Sequence, residues 1–167
     1  MKLKIAVAVL TVIFLLASCS VQTDFDVFDF CERYNFQKGE KLLSTDSFLS
    51  DENGGMYCFL TTGNSRLLLT LETLENGTVN SVYVTAQKDE FALEDAQTVI
   101  EEIKLIFSAY CYSDALKAQE NLSLIGFDGE FEPFSNLYKS EKSGKHTYTL
   151  YSNSFSFTVC AEKIASD

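Results

Sequence analysis

The chain has no tryptophan, a single proline (Pro133), a single histidine (His146) and only eight glycines in 167 residues. So little proline and glycine excludes a long flexible linker, and one folded unit is expected. With one histidine, any Ser-His-Asp or Cys-His catalytic group would have to use His146. That residue stands between Lys145 and Thr147, beside the polar Ser143-Gly144 turn, which suits a solvated surface histidine. A G-x-S-x-G nucleophile motif is also missing. No two cysteines are close enough for C-x-x-C, so a zinc knuckle or thioredoxin-type centre is not supported, and neither metal nor cofactor is expected. Basic residues are scarce as well, 13 against 24 acidic ones. This deficit argues against nucleic acid or an anionic membrane surface as ligand, since both need a basic footprint.

What the chain does have begins at its start. Lys2 and Lys4 precede an apolar run from Ile5 to Leu16, broken only by Thr11. That run is too short for a permanent span but fits the apolar region of an export signal. Leu16-Ala17-Ser18-Cys19 closes it. This stretch resembles the lipobox of bacterial lipoproteins. The resemblance implies that residues 1–18 are removed and that Cys19 becomes a lipidated N-terminus holding the protein to a membrane. Two or more acyl chains, at about 0.8 kcal/mol per buried methylene, make such anchoring durable. Ser20 rather than Asp follows Cys19, so the inner-membrane retention signal of two-membrane cells is not matched. The expected location is the cell envelope, outside the cytoplasm.

Removing residues 1–18 leaves 149 residues (167 minus 18), enough for one domain with a real core. Losing Lys2 and Lys4 leaves 11 basic residues against 24 acidic, a formal charge near −13. Residues 19–23 make a short tether, and residues 24–167 make a single α+β domain. The chain's 14 Phe, all but Phe14 within this domain, and its 8 Tyr supply most of the expected core.

Within this domain, Asp24 to Phe36 reads as a helix capped by Thr23 or Asp24, with Val27, Phe30, Cys31 and Tyr34 on one face. Short runs with turn signals follow, as in a four-stranded antiparallel meander. Its strands are expected near Lys41–Leu49, at Met56–Thr62, along Leu67, Leu69 and Leu71, and from Thr78 to Ala86. Gly63-Asn64 and Asn76-Gly77 are the hairpin signals, the latter favouring a type I′ turn. Leu93 to Cys111 is an amphipathic helix with Glu101, Glu102 and Lys104 outside its apolar stripe. A shorter helix capped by Ser113 or Asp114 runs to about Leu122 and ends at Gly126. Phe127 to Ser143 looks like a loop with at most a short irregular strand. Lys145–Tyr151 and Ser154–Glu162 form a C-terminal β-hairpin. This order implies helices packed on one face of an antiparallel sheet.

Few residues suggest a site. Cys31, Cys58 and Cys111 fall on or beside apolar faces, where a free cysteine behaves as a small hydrophobe. Cys160 lies opposite the inward face claimed by Phe155, Phe157 and Val159, so it is the thiol expected to be accessible or in a disulfide. Four cysteines besides Cys19 allow three pairings. The run from Phe127 to Phe134 alternates aromatic and acidic residues. Its carboxylates lack EF-hand spacing, while Phe131 and Phe134 are candidates for partner contact. A non-enzymatic binding module follows as the leading expectation, its partner an envelope protein or a small extracellular ligand. An inhibitor or immunity-type protein using its acidic surface, and an extracytoplasmic hydrolase, are the alternatives.

Overall fold

The computed structural model describes residues 25–129 and 131–165. The lipobox, Cys19 and the tether lie outside the described residues. The fold is α+β. Helix α1 (Val27–Lys38) opens it. Asp26, rather than Thr23 or Asp24, is the cap: its side chain accepts from the Asp29 N–H at 2.9 Å, and the Asp29 carboxylate accepts from the Asp26 N–H in return. This reciprocal pair satisfies two of the orphan donors at a helix start. Val27, Phe30, Cys31 and Tyr34 are buried as their spacing predicts.

The strand expected over 41–49 is mostly absent. Only Leu49–Ser50 (β1) is extended and paired, and Thr45–Ser47 forms a 3-10 turn instead. A side chain from another element is the cause. Asn35 Oδ1 accepts from the Leu42 and Leu43 N–H groups, and its Nδ2 donates to the Leu43 carbonyl. Backbone groups that a strand would use are thereby satisfied by α1.

The meander then follows as β2 (Met56–Thr62), β3 (Ser65–Thr73) and β4 (Val79–Gln87). Gly63 takes a positive φ of 62° in the two-residue turn between β2 and β3, the first central position of a type II′ turn. The Asn76-Gly77 turn departs from type I′, because Gly77 alone is left-handed (φ 83°) and the β3–β4 register shifts at Glu72/Thr73.

Helix α2 (Ala96–Cys111) follows a 3-10 turn at Leu93–Asp95. Helix α3 (Ala115–Leu124) is capped by Asp114, which accepts from the Lys117 N–H. The segment read as a loop contains β5 (Leu137–Ser143). It pairs with β6 (His146–Ser152), which pairs in turn with β7 (Ser156–Lys163). β5 gives no periodic signal because it is an edge strand with both faces largely open to water. The sheet order is β1-β2-β3-β4-β7-β6-β5, antiparallel throughout, so two meanders join where β4 meets β7.

Leu67, Leu69, Leu71, Val82, Val84, Phe157, Val159 and Leu150 point to one face and are buried against α1 and α2. The opposite face carries no described helix. One row across it, in strict register, is Tyr57, Thr70, Tyr83, Cys160 and Thr149.

Candidate functional site

A concavity bounded by several elements lies at the β2 end of the sheet. It is a cleft of about 340 Å³, within the size range of small-ligand sites. One wall is the edge of β2 from Cys58 to Thr62. Lys38 and Tyr34 of α1, Leu42, Leu43 and Ser47 of the diverted segment, and Glu102 of α2 complete it. The cleft exists because β1 is short: it pairs Leu49 with Tyr57 and Ser50 with Met56, and stops.

Glu102 was expected on the solvated side of its helix, but its side chain is only 4% exposed. Helix α1 packs over that side and supplies the compensation a buried carboxylate needs. Tyr34 Oη donates to one carboxylate oxygen, and Lys38 Nζ donates to the other as its ion-pair partner. Lys38 remains 32% exposed, so the pair is open to solvent on the cation's side. Lys104, also expected outside, is buried and pairs with Glu101 at 2.8 Å.

Two titratable groups of the cleft are held in their protonated forms. Burial, and then the hydrogen bond to Glu102, push the Tyr34 hydroxyl far above its ordinary range. Burial, with a smaller push from Cys31, raises the Cys58 thiol to about 12. A thiol so rarely ionised at neutral pH is a weak nucleophile. The cleft therefore offers a neutralised polar floor, hydroxyl groups and apolar walls.

Of the residues singled out in the sequence, Cys58 lines the cleft, whereas Cys160, Phe131, Phe134 and His146 do not. Cys160 lies on the open sheet face, half-buried beside Tyr83, and burial is the first cause raising its thiol to about 12. Phe157 and Val159 take the inward face as expected, but Phe155 is 78% exposed. Among the described residues the cysteines Cys31, Cys58, Cys111 and Cys160 are free thiols. Phe131 and Phe134 turn inward, with ring centroids 5.3 and 5.8 Å from that of Phe157. Phe134 adopts φ 65° to do so, and its ring also meets Phe91 edge-on at 5.4 Å.

His146 is not the solvated histidine its neighbours suggest. It is half-buried, with its ring 5.2 Å from Tyr110 and 6.2 Å from Tyr148. Burial, then the charges of Lys163 and Lys145, hold its pKa below the ordinary 6.5. Among the described residues no cluster of three or more His, Cys, Asp or Glu side chains could hold a metal. No helix among them is long and apolar enough to cross a membrane.

No protein-family model, curated protein or solved structure matches the chain. Sequence reasoning missed the cleft because Asn35, Tyr34 and Lys38 act on partners in other elements. The one usable signal was the uncharged run of β2, Met56-Tyr57-Cys58-Phe59-Leu60-Thr61-Thr62.

Proposed function

We propose that the protein is a non-enzymatic binding module of the cell envelope, held to a membrane by lipid on Cys19. Its partner is an envelope protein or a small extracellular ligand. The observation that carries the binding reading is the β2 cleft, whose buried Glu102 is already ion-paired with Lys38 and hydrogen-bonded by Tyr34. A site so arranged can receive a ligand without a charge to transfer. The membrane part rests on Leu16-Ala17-Ser18-Cys19. With residues 19–23 as the only tether, about 3.3–3.6 Å each when extended, the domain would work close to the bilayer.

Two measurements test this. Cys19→Ser in the full chain should move the protein from the membrane to the soluble fraction of fractionated cells; unchanged membrane retention refutes the anchor. A photo-crosslinking residue at Thr61, on the rim of the cleft, should capture a defined envelope component. The same label at Lys117, exposed on α3, should not. Identical capture at both positions refutes the cleft as the binding element.

A further inference from the structure

We propose that the free edge of β2 receives an extended peptide as an added β-strand. This rests on reading the cleft as a binding site, and it names the ligand chemistry. At one end of β2, the Asp51 N–H donates to the Gly55 carbonyl at 2.8 Å, closing the β1–β2 turn. At the other end, the two-residue turn pairs Thr62 with Ser65.

Backbone groups alternate in direction along an antiparallel strand. Both ends then agree: Cys58, Leu60 and Thr62 address β3, whereas Tyr57, Phe59 and Thr61 address the other side. Tyr57 meets Leu49 of β1. Among the described residues no strand stands opposite Phe59 and Thr61, because the sheet's pairing on that side ends at Tyr57. Two donors and two acceptors therefore line the cleft in strand geometry.

The space beside them is the place of a strand. Continuing the β1 register backwards would set Ser47 opposite Phe59 and Thr45 opposite Thr61. Those residues instead form the 3-10 turn that Asn35 helps hold away, and the 340 Å³ cleft occupies the gap.

The two edges of the sheet are also protected differently. β5, the far edge, carries Lys139, Glu141 and Lys142, all exposed, which discourages strand addition. β2 has neither charge nor proline in seven residues. An edge strand that is unprotected only where a cleft is built beside it suits β-augmentation.

The occupant is a single peptide rather than a second copy of this chain. The groove is walled by Lys38, Leu42, Leu43 and Ser47, and a second copy would bring the same walls against them. Inward-facing peptide side chains would meet Leu43, Leu60 and the Glu102–Lys38 pair. With that carboxylate neutralised, uncharged aliphatic or hydroxyl-bearing residues fit best.

The test uses the detergent-solubilised full chain and acetyl-(Thr-Val)3-amide as probe, with the same peptide N-methylated at every amide as its counterpart. Binding is read by fluorescence anisotropy, and amide exchange is read along β2 by mass spectrometry. The unmodified peptide should bind and slow exchange at Phe59 and Thr61 at least tenfold, and N-methylation should weaken binding at least tenfold. Thr61→Pro should weaken it as much while the protein stays folded, because an edge strand accepts proline where its N–H faces away from the ladder. The methylated peptide asks the same question of the unaltered protein if that variant fails to fold.

No binding by the unmodified peptide, or equal binding by both peptides, overturns strand addition. So does slowed exchange at Phe59 and Thr61 that appears only on dimerisation, since the second copy would then be the occupant. Equal peptide binding alongside Thr61-specific capture of an envelope component would leave the binding-module reading standing and remove only the added strand.

Discussion

Replacing Lys38 by methionine is the sharpest perturbation of the cleft floor. It keeps the aliphatic stem of the side chain and removes the ammonium that pairs with Glu102. Breaking a fully buried ion pair on one side costs about 3–5 kcal/mol, whereas exposed pairs contribute about 0–1 kcal/mol. Glu102 is 4% exposed but Lys38 is 32% exposed, so water already screens part of the interaction. Tyr34 also keeps its hydrogen bond to the carboxylate after the substitution. Between those limits, Lys38→Met is expected to cost about 2 kcal/mol. For a domain of this size, about 4 °C of melting temperature per kcal/mol makes that a fall of about 8 °C.

Adding Glu102→Gln in the same chain removes the stranded charge while keeping an acceptor for Tyr34. It should restore about 1 kcal/mol relative to Lys38→Met alone, a coupling that a double-mutant cycle isolates. Urea unfolding followed by circular dichroism measures all four proteins. If Lys38→Met lies within about 0.5 kcal/mol of the parent, or if Glu102→Gln only adds to the loss, the reasoning about a buried, compensated carboxylate is wrong.

Three further outcomes follow from the packing. His146 has its pKa lowered in the fold by burial and by Lys163 and Lys145, so below about pH 6.5 the unfolded chain binds a proton that the folded chain refuses. Stability should drop as pH falls through that value, by at most about 1.4 kcal/mol per pH unit. His146→Gln should flatten the curve there; parallel pH profiles for the two proteins count against it. Phe157 meets Phe91, Phe127, Phe131 and Phe134, and Phe157→Ala should cost about 3–5 kcal/mol in chemical denaturation. Asn35→Ala removes three hydrogen bonds to Leu42 and Leu43. It should lower stability by about 2–3 kcal/mol and speed amide exchange at both residues; unchanged exchange would show that the segment is held by something else.

The sequence was informative where one element decides its own fate. Alternating Leu67, Leu69 and Leu71, with Gly63 in a tight turn, specify β3 and its hairpin locally, and α1 announces itself through Val27, Phe30, Cys31 and Tyr34. It was uninformative where a distant side chain intervenes. Leu42 and Leu43 have strand-like composition, yet Asn35 claims their backbone groups. β5 has no buried face to impose a period. Glu102 reads as a surface residue until α1 is laid over it, so the floor of the cleft cannot be found without tertiary structure.

The junction of the two meanders has a consequence for how the chain acquires its fold. β2–β4 and β5–β7 are each built from neighbouring strands joined by short turns, and such local pairings form early. The seam between them is different: Thr85 and Thr158 bond across it although 73 residues apart in the chain. Closing a loop of that length carries an entropic cost that only the completed seam repays. Until it forms, β4 and β7 both present open edges, and α2 and α3 lie in the chain between them. The slow step of folding should be the docking of these two halves, and the state just before it should be the one most exposed to misassembly.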